Sequence, residues 1–225
     1  MNAATANVAP GLPPGLPPGV QAAELAQDLR SLARLHAAER DAATWTRLHR
    51  AGFPIGLHLA GGEGARAMTQ ALEALAEARA RDPQGTDDRL AADYAAIYLT
   101  HALRASPCES VWRDEDHLML QAPTFAVREF YRRHGIPPVN WRAMPDDHLV
   151  HELGFVAHLL ESGEPAAARA FLDRHLLSWL PQFAARVAER ADTPVYAALA
   201  LLTMDAARTL REWLDAAEPA VAAGF

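Results

Sequence analysis

Apolar residues recur at steps of three and four along most of this chain, and no other feature constrains the fold as strongly. The clearest sets are Leu25, Leu29 and Leu32; Met68, Leu72 and Leu75; Leu90, Tyr94 and Ile97; Leu149, Leu153, Val156 and Leu160; and Leu172, Leu176, Trp179, Phe183 and Val187. This spacing places side chains on one face of an α-helix. No segment has a convincing strand pattern, so the sequence predicts an all-α fold.

Helix boundaries follow from short polar and proline signals. Thr86 or Asp87 is expected to cap the helix that carries Leu90, and residues 145–147 precede the helix of Leu149. Pro181 predicts a kink. The dipeptide 193–194, Thr-Pro, opens the last long helix, since threonine caps helices and proline fits their first turn.

The chain divides into a tail, one helical domain and a short end. Residues 1–20 contain GLPPGLPPG, which cannot hold helix hydrogen bonds and predicts a disordered or polyproline-like tail. Residues 21–217 form a single compact multi-helix domain, and residues 218–225 are expected to fray. Two loops, 50–63 and 104–122, interrupt the helices; long loops of this kind are often functional.

Charge and residue usage exclude several classes of function. The net charge is -7 over 225 residues, and nucleic-acid binding requires clustered positive charge instead. All 21 basic residues are arginine. The absence of lysine excludes Schiff-base chemistry, lysine general bases and a Walker lysine. A negatively charged groove would favour a cationic ligand.

Cysteine and hydropathy indicate the compartment. Cys108 is the only cysteine, so an internal disulfide is excluded, and a buried or half-buried structural thiol is the preferred interpretation. No apolar run reaches the ~18 residues of a membrane span. The first basic residue is Arg30, so an export signal is not expected at this N-terminus. A cytoplasmic location is predicted.

Two patterns support an alternative, a small metal- or nucleotide-dependent enzyme. The turn from Gly62 to Gly64 begins a G-x-G-x-x-A match, but no parallel strand units surround it, so a glycine-rich helix start is preferred. His148, His151 and Glu152 lie within one helical turn, but a metal centre needs about four ligands. Neither pattern predicts a metal or cofactor.

Two separated segments resemble a known family. Residues 94–98, Tyr-Ala-Ala-Ile-Tyr, are followed by Pro-Cys-Glu-Ser-Val-Trp at 107–112, and Pro-Asp-Asp-His stands at 145–148. The later His-Leu-Leu-Ser-Trp begins at His175. In order and spacing these elements resemble the TorD/DmsD/NarJ family of molybdoenzyme maturation chaperones over about residues 21–215.

The resemblance implies a TorD-like helical domain without enzyme activity or a cofactor. It implies as partners the twin-arginine signal peptide and the apo-form of a molybdopterin-dependent oxidoreductase subunit, and molybdenum-cofactor biosynthesis proteins. The oligomeric state, monomer or homodimer, stays open. The residues expected to bind the signal peptide are Tyr94, Ile97, Tyr98, Pro107, Ser110, Trp112, Pro145, Asp147 and His148.

Their chemistry suits a leader that joins two guanidinium groups to an apolar stretch. Asp147 can pair with a guanidinium and His148 can assist it, whereas the aromatic residues receive the apolar part. Structural roles compete with these. Tyr94, Tyr98 and Trp112 are also plausible core residues, and Asp146 and Asp147 are plausible helix caps.

Overall fold

The amphipathic segments form helices in the computed structural model, which describes residues 19–137 and 144–216. These are α1 (Ala22–Ala37), α2 (Ala42–Arg50), α3 (Gly62–Arg81), α4 (Pro83–Tyr94), α5 (Glu109–Arg113), α6 (Ala122–Arg133), α7 (Leu149–Glu161), α8 (Pro165–Phe171), α9 (Leu177–Arg190) and α10 (Pro194–Ala216). Within these ranges there is no strand, only an isolated bridge between Cys108 and His148. The predicted all-α fold is confirmed.

The core lies where the predicted apolar faces meet. The most extensive helix pair is α1 with α7, and α10 packs against both α3 and α9. Leu25, Leu29 and Leu32 of α1 are fully buried, as is Leu153 of α7. Because each buried leucine contributes roughly 1.5–3 kcal/mol, these faces stabilise the helices far more than their propensities do.

The start of α4 differs from the expectation. The cap is neither Thr86 nor Asp87 but Asp82, whose side chain accepts a hydrogen bond of 3.0 Å from the Gly85 amide. Pro83 then occupies the first turn, where its missing N–H costs nothing. Asp87 lies inside the helix and accepts from the Ala42 amide at 2.9 Å, so it links α4 to α2.

Two helices contain π-helical turns. Ala95–Leu99 continues α4, and Leu172–Leu176 joins α8 to α9. The helix α9 continues through Pro181. The long loop expected at 104–122 contains the short helix α5, which the sequence pattern did not reveal because five residues are too few to show a period.

The glycine-rich turn at Gly62 begins α3, as the preferred interpretation expects. The Gly64 amide donates a 2.7 Å hydrogen bond to the Asp205 carboxylate of α10. A Cβ atom on Gly64 would lie 2.6 Å from the backbone of Leu202. This glycine therefore allows two helix backbones to approach closely, and a carboxylate of the chain itself occupies the helix start that a phosphate would need.

The remaining boundary predictions fall partly outside the described ranges. Residues 1–18 of the predicted tail and the predicted frayed end at 218–225 are not among the described residues. Gln21 is the N-cap residue of α1. Along the described ranges, no helix combines the length and the apolar character needed to cross a bilayer.

Candidate functional site

Backbone hydrogen bonds join the two segments that carry the resemblance. The Glu109 amide donates to the Asp147 carbonyl at 3.0 Å, and the Leu149 amide donates to the Pro107 carbonyl at 2.8 Å. These bonds flank the bridge between Cys108 and His148. Residues almost forty positions apart thus meet in one place, the 108/148 bridge.

Asp147 is buried at this bridge and caps a helix. Its Oδ2 atom accepts a 2.7 Å hydrogen bond from the Ser110 amide at the start of α5, and its side chain has no exposed surface. The capping alternative is therefore seen for Asp147, although on α5 and not on the following helix. A carboxylate near a helix N-terminus also interacts favourably with the helix dipole.

His148 caps α7 instead. Its Nδ1 atom accepts from the Val150 amide at 3.2 Å. Burial, together with the nearby His151, lowers the pKa of His148 to about 3. The ring is therefore neutral at pH 7, which the accepting Nδ1 atom requires. Pro145 is half-buried and shapes the preceding turn, because its carbonyl accepts from the His148 amide at 3.1 Å.

Two buried carboxyl groups lie behind the bridge. Glu109 accepts from Arg113 at 2.6 Å and lies 3.0 Å from Nδ1 of His175. Glu152 accepts from the Trp179 indole at 3.0 Å. Burial raises the pKa of Glu152 well above its usual range, and the neighbouring Glu109 raises it further. Both effects favour the protonated form of Glu152.

Cys108 is almost completely buried, as predicted for a structural thiol. Burial raises its pKa, and the Asp147 carboxylate adds to the effect. A thiolate is therefore strongly disfavoured at this position.

Native protein is accordingly expected to react with a disulfide reagent such as dithionitrobenzoate at least about 100-fold more slowly than unfolded protein, because the thiolate is the nucleophile. Thiol release followed by absorbance, with and without guanidinium chloride, measures the ratio. Comparable rates in the two states would show that the bridge opens readily.

Tyr94, Ile97 and Tyr98 lie in the core at the end of α4 and in the π turn. All three are less than a tenth exposed, and the two tyrosine rings stack with centroids 4.8 Å apart. The Tyr98 hydroxyl donates to Nδ1 of His36 at 2.5 Å. Packing of this kind matches the core alternative; the expected contact of these residues with a signal peptide stays a prediction.

Trp112 lines a pocket of about 540 Å³. The lining consists of His101, Arg104, Ser106, Val111, Trp112, His117, Leu118, Met119 and Arg186. The Trp112 indole donates to the Ser106 carbonyl at 2.7 Å, which ties α5 to the preceding loop. Of the nine residues predicted to bind the peptide, Trp112 alone is in this lining.

The loops around the pocket hold unusual backbone. His101, Arg104, His117 and Leu120 have φ between 52° and 61°, and they are the non-glycine residues with positive φ in the described ranges. Such conformations are disfavoured for L-residues and concentrate where a particular surface shape is needed. All four lie in or beside the pocket lining.

Exposed apolar side chains continue this surface. The residues are Leu99, Leu118, Met119, Leu120 and Phe125, with exposures of 38–65%. Leu118 and Met119 line the pocket, Leu120 follows them in the same loop, and Leu99 and Phe125 lie in the neighbouring helical segments. Three consecutive exposed apolar residues at a pocket are typical of an interaction site.

The charges around the pocket differ from the acidic groove that the net charge of the chain suggests. Arg104 and Arg186 belong to the lining, and the Arg186 guanidinium lies 5.8 Å from the Trp112 ring centroid. Glu115 and Asp116 are exposed on the loop that also supplies His117, Leu118 and Met119 to the lining. The pocket thus has two arginines in its lining and two carboxylates on an adjoining loop segment.

The residues proposed for a metal do not converge. His148 and His151 have ring centroids 6.5 Å apart, and Glu152 is directed at Trp179. No group of three potential metal ligands occurs in the part of the chain that the structure describes.

Sequence reasoning missed two parts of the site. Leu118 and Met119 stand in a loop without periodicity, although two exposed apolar residues beside an acidic run were a readable signal. The pairing of Arg128 with Asp146, at 2.6 Å, joins α6 to the turn before α7, and nothing in the local sequence indicates it.

The described residues form an all-α body with a largely apolar pocket beside Trp112. The sequence model "Nitrate reductase delta subunit" matches residues 62–185, more than half of the chain. The chain therefore belongs to the nitrate reductase delta subunit family, and the predicted resemblance is confirmed.

Named relatives are chaperones. A "Chaperone protein TorD" of Vibrio cholerae is 31% identical over 62% of this chain and 69% of its own length. A "Tat proofreading chaperone DmsD" of Salmonella typhi is 30% identical over 63% of this chain and 68% of its own. A TorD of Shewanella amazonensis is 33% identical over 56% and 57%. These names support a maturation chaperone and not an enzyme.

Proposed function

We propose that this chain is a cytoplasmic chaperone that binds the twin-arginine signal peptide of a molybdopterin-dependent oxidoreductase subunit. It holds the apo-form of that subunit and assists folding and cofactor insertion before export. Membership of the family and the names of its relatives support this function. Interaction with molybdenum-cofactor biosynthesis proteins would follow from the same role.

The pocket at Trp112 is the observation that carries the proposal. Its volume of about 540 Å³ accommodates one or two large apolar side chains, and Leu118 and Met119 contribute exposed apolar surface to its lining. A twin-arginine leader provides a suitable occupant, since an apolar stretch follows its two arginines. The leader's apolar part enters the pocket, and its arginines lie outside it.

Affinity and selectivity have different sources in this arrangement. Each methylene buried in the pocket contributes about 0.8 kcal/mol, whereas an exposed ion pair contributes roughly 0–1 kcal/mol. Apolar burial therefore supplies most of the binding free energy. Arg104 and Arg186 repel the arginine end of the leader, so that end is directed away from them and toward carboxylates outside the pocket.

Trp112→Ala is expected to weaken leader binding about 30-fold, because a central tryptophan in an interface is commonly worth 2 kcal/mol or more. Fluorescence anisotropy of a labelled synthetic twin-arginine leader measures the dissociation constant. The leader is taken from molybdopterin enzymes encoded beside this protein.

Trp213→Ala is the matched control, since Trp213 is also partly buried against the core but does not line the pocket. Trp213→Ala should leave the affinity for the leader within about twofold of the wild-type value. Thermal unfolding of each variant establishes that it is folded. The proposal fails if the wild-type protein shows no saturable binding to any candidate leader, or if both tryptophan variants weaken binding equally.

A further inference from the structure

Asp146 is a buried carboxylate covered by an arginine of the chain itself. Its side chain has no exposed surface, whereas the side chain of Arg128 is 35% exposed. Nε and Nη2 of Arg128 both donate to the same oxygen, Oδ2, at 3.0 and 2.6 Å. The guanidinium therefore lies between the carboxylate and the solvent.

The surroundings are built to hold a planar cation. The ring of Phe125, itself 56% exposed, has its centroid 5.4 Å from the Arg128 guanidinium. The Tyr131 hydroxyl donates to the Asp146 carbonyl at 2.9 Å and fixes the turn. A carboxylate beside an aromatic face is the combination that suits a guanidinium, which pairs and stacks at once. We call these residues, Phe125, Arg128, Tyr131 and Asp146, the guanidinium seat.

The seat has unused hydrogen-bonding capacity. Among the described residues, neither Oδ1 of Asp146 nor Oγ1 of Thr124 has a hydrogen-bond partner, although both atoms are buried. Thr124 lies one helical turn before Arg128 on α6. Because Arg128 directs two donors at one carboxylate oxygen, it leaves the second oxygen for another donor.

Neighbouring carboxylates are less suited to exchange their partners. Asp147 also has one oxygen, Oδ1, without a partner among the described residues, but its Oδ2 atom caps α5 through the Ser110 amide, so releasing that oxygen would leave the start of α5 uncapped. The guanidinium of Arg113 pairs with Glu109 and also donates to the Arg174 carbonyl at 2.8 Å, and Glu109 has His175 as a second partner. The Arg128 guanidinium, by contrast, contacts the Asp146 carboxylate and the Phe125 ring.

We propose that Asp146 is the carboxylate that receives a guanidinium of the leader, and that Arg128 occupies this position until the leader arrives. This inference rests on the proposed function and assigns the arginine recognition to a residue next to Asp147. The leader's arginine displaces Arg128 into solvent and takes over its contacts with Asp146 and Phe125.

The exchange predicts that the protein selects arginine over lysine in the leader. A buried carboxylate without a partner is strongly unfavourable, so any group that displaces Arg128 must bring a cation with it. An ammonium group offers neither the two coplanar donors nor the flat face that Phe125 contacts. Because the occupied seat reduces the fraction of binding-competent protein, it also lowers the observed affinity for the leader.

The test compares Arg128→Gln with the wild-type protein, using a labelled twin-arginine leader and the same leader with two lysines. We expect Arg128→Gln to tighten binding of the twin-arginine leader roughly tenfold, because the competing group is gone. Binding of the lysine leader should change by less than about twofold. The double variant Arg128→Gln, Asp146→Asn should lose this tighter binding of the twin-arginine leader.

Arg132→Gln is the matched control, since Arg132 lies one turn further along α6 and pairs with Glu129 at the surface. It should affect neither leader. If Arg128→Gln does not fold, Arg128→Lys is used instead, because it keeps the charge. Arg128→Lys should also tighten binding of the twin-arginine leader and not of the lysine leader, but by a smaller factor. If Arg128→Gln leaves the affinity for the twin-arginine leader unchanged, or tightens binding of both leaders equally, Asp146 does not receive a leader guanidinium. If the wild-type protein binds no leader, the proposed function itself is wrong.

Discussion

Acidification from pH 7 to pH 4 is expected to cost the folded chain about 3 kcal/mol at His36 alone, and a similar amount at His148. Burial lowers the pKa of each ring to about 3. The native rings stay neutral while those of the unfolded chain take up protons below pH 6.5. Stability is therefore fully present above pH 6.5 and is lost as the pH falls toward 3.

A chain of hydrogen bonds pairs both nitrogen atoms of the neutral His36 ring. Thr203 uses its hydroxyl hydrogen to reach the Leu199 carbonyl at 2.8 Å, so its oxygen accepts from Nε2 of His36 at 2.9 Å. Nδ1 then accepts from the Tyr98 hydroxyl. Every polar atom of the neutral ring is paired, and a second ring proton would disrupt that arrangement.

Urea unfolding of the wild type and His36→Gln across pH 4–7 measures this effect. The difference in unfolding free energy between the two proteins should shrink by about 3 kcal/mol as the pH falls to 4. Tyr98→Phe is the control, because it keeps the histidine and should lower stability while retaining the slope. Parallel pH profiles for the wild type and His36→Gln would contradict the assignment.

Gly64→Ala is expected to destabilise the protein by roughly 3 kcal/mol, at the upper end of overpacking costs. The added methyl group meets backbone atoms of Leu202 at 2.6 Å, and backbone cannot rotate away as a side chain can. The helices α3 and α10 must move apart, which also stretches the Gly64–Asp205 hydrogen bond.

Gly154→Ala provides the comparison, since it also replaces a helical glycine but meets no atom within 4 Å. It should be neutral or stabilise by roughly 0.5–1 kcal/mol through helix propensity. Chemical denaturation of both variants gives the difference in unfolding free energy. Equal effects of the two substitutions on the free energy of unfolding would mean that the close approach of α3 and α10 does not contribute to stability.

The helices could be predicted from sequence because their apolar spacing is local. The spacing of Leu25, Leu29 and Leu32 alone predicts α1. It also predicts which face of the helix packs in the core. The prediction of the start of α4 was wrong because three polar residues that could each serve as its N-cap, Asp82, Thr86 and Asp87, lie within a few positions. Asp82 is followed by proline, and that pair was the better signal.

The site was less predictable because its contacts are distant in the chain. His36 meets Tyr98 across 62 positions, and Asp146 meets Arg128 across 18. Motif resemblance brought Asp147 and Trp112 to attention but did not distinguish a cap from a ligand contact. The pocket depends on left-handed loop residues such as His117, whose conformation no local pattern specifies.

The 108/148 bridge has a consequence for synthesis of the chain on the ribosome. The helix that carries Trp112 is five residues long, and its cap, Asp147, comes 35 positions after the tryptophan. A helix so short does not persist without its cap. A growing chain therefore lacks a complete pocket until Asp147 and then Arg186, which belongs to the lining, have left the exit tunnel.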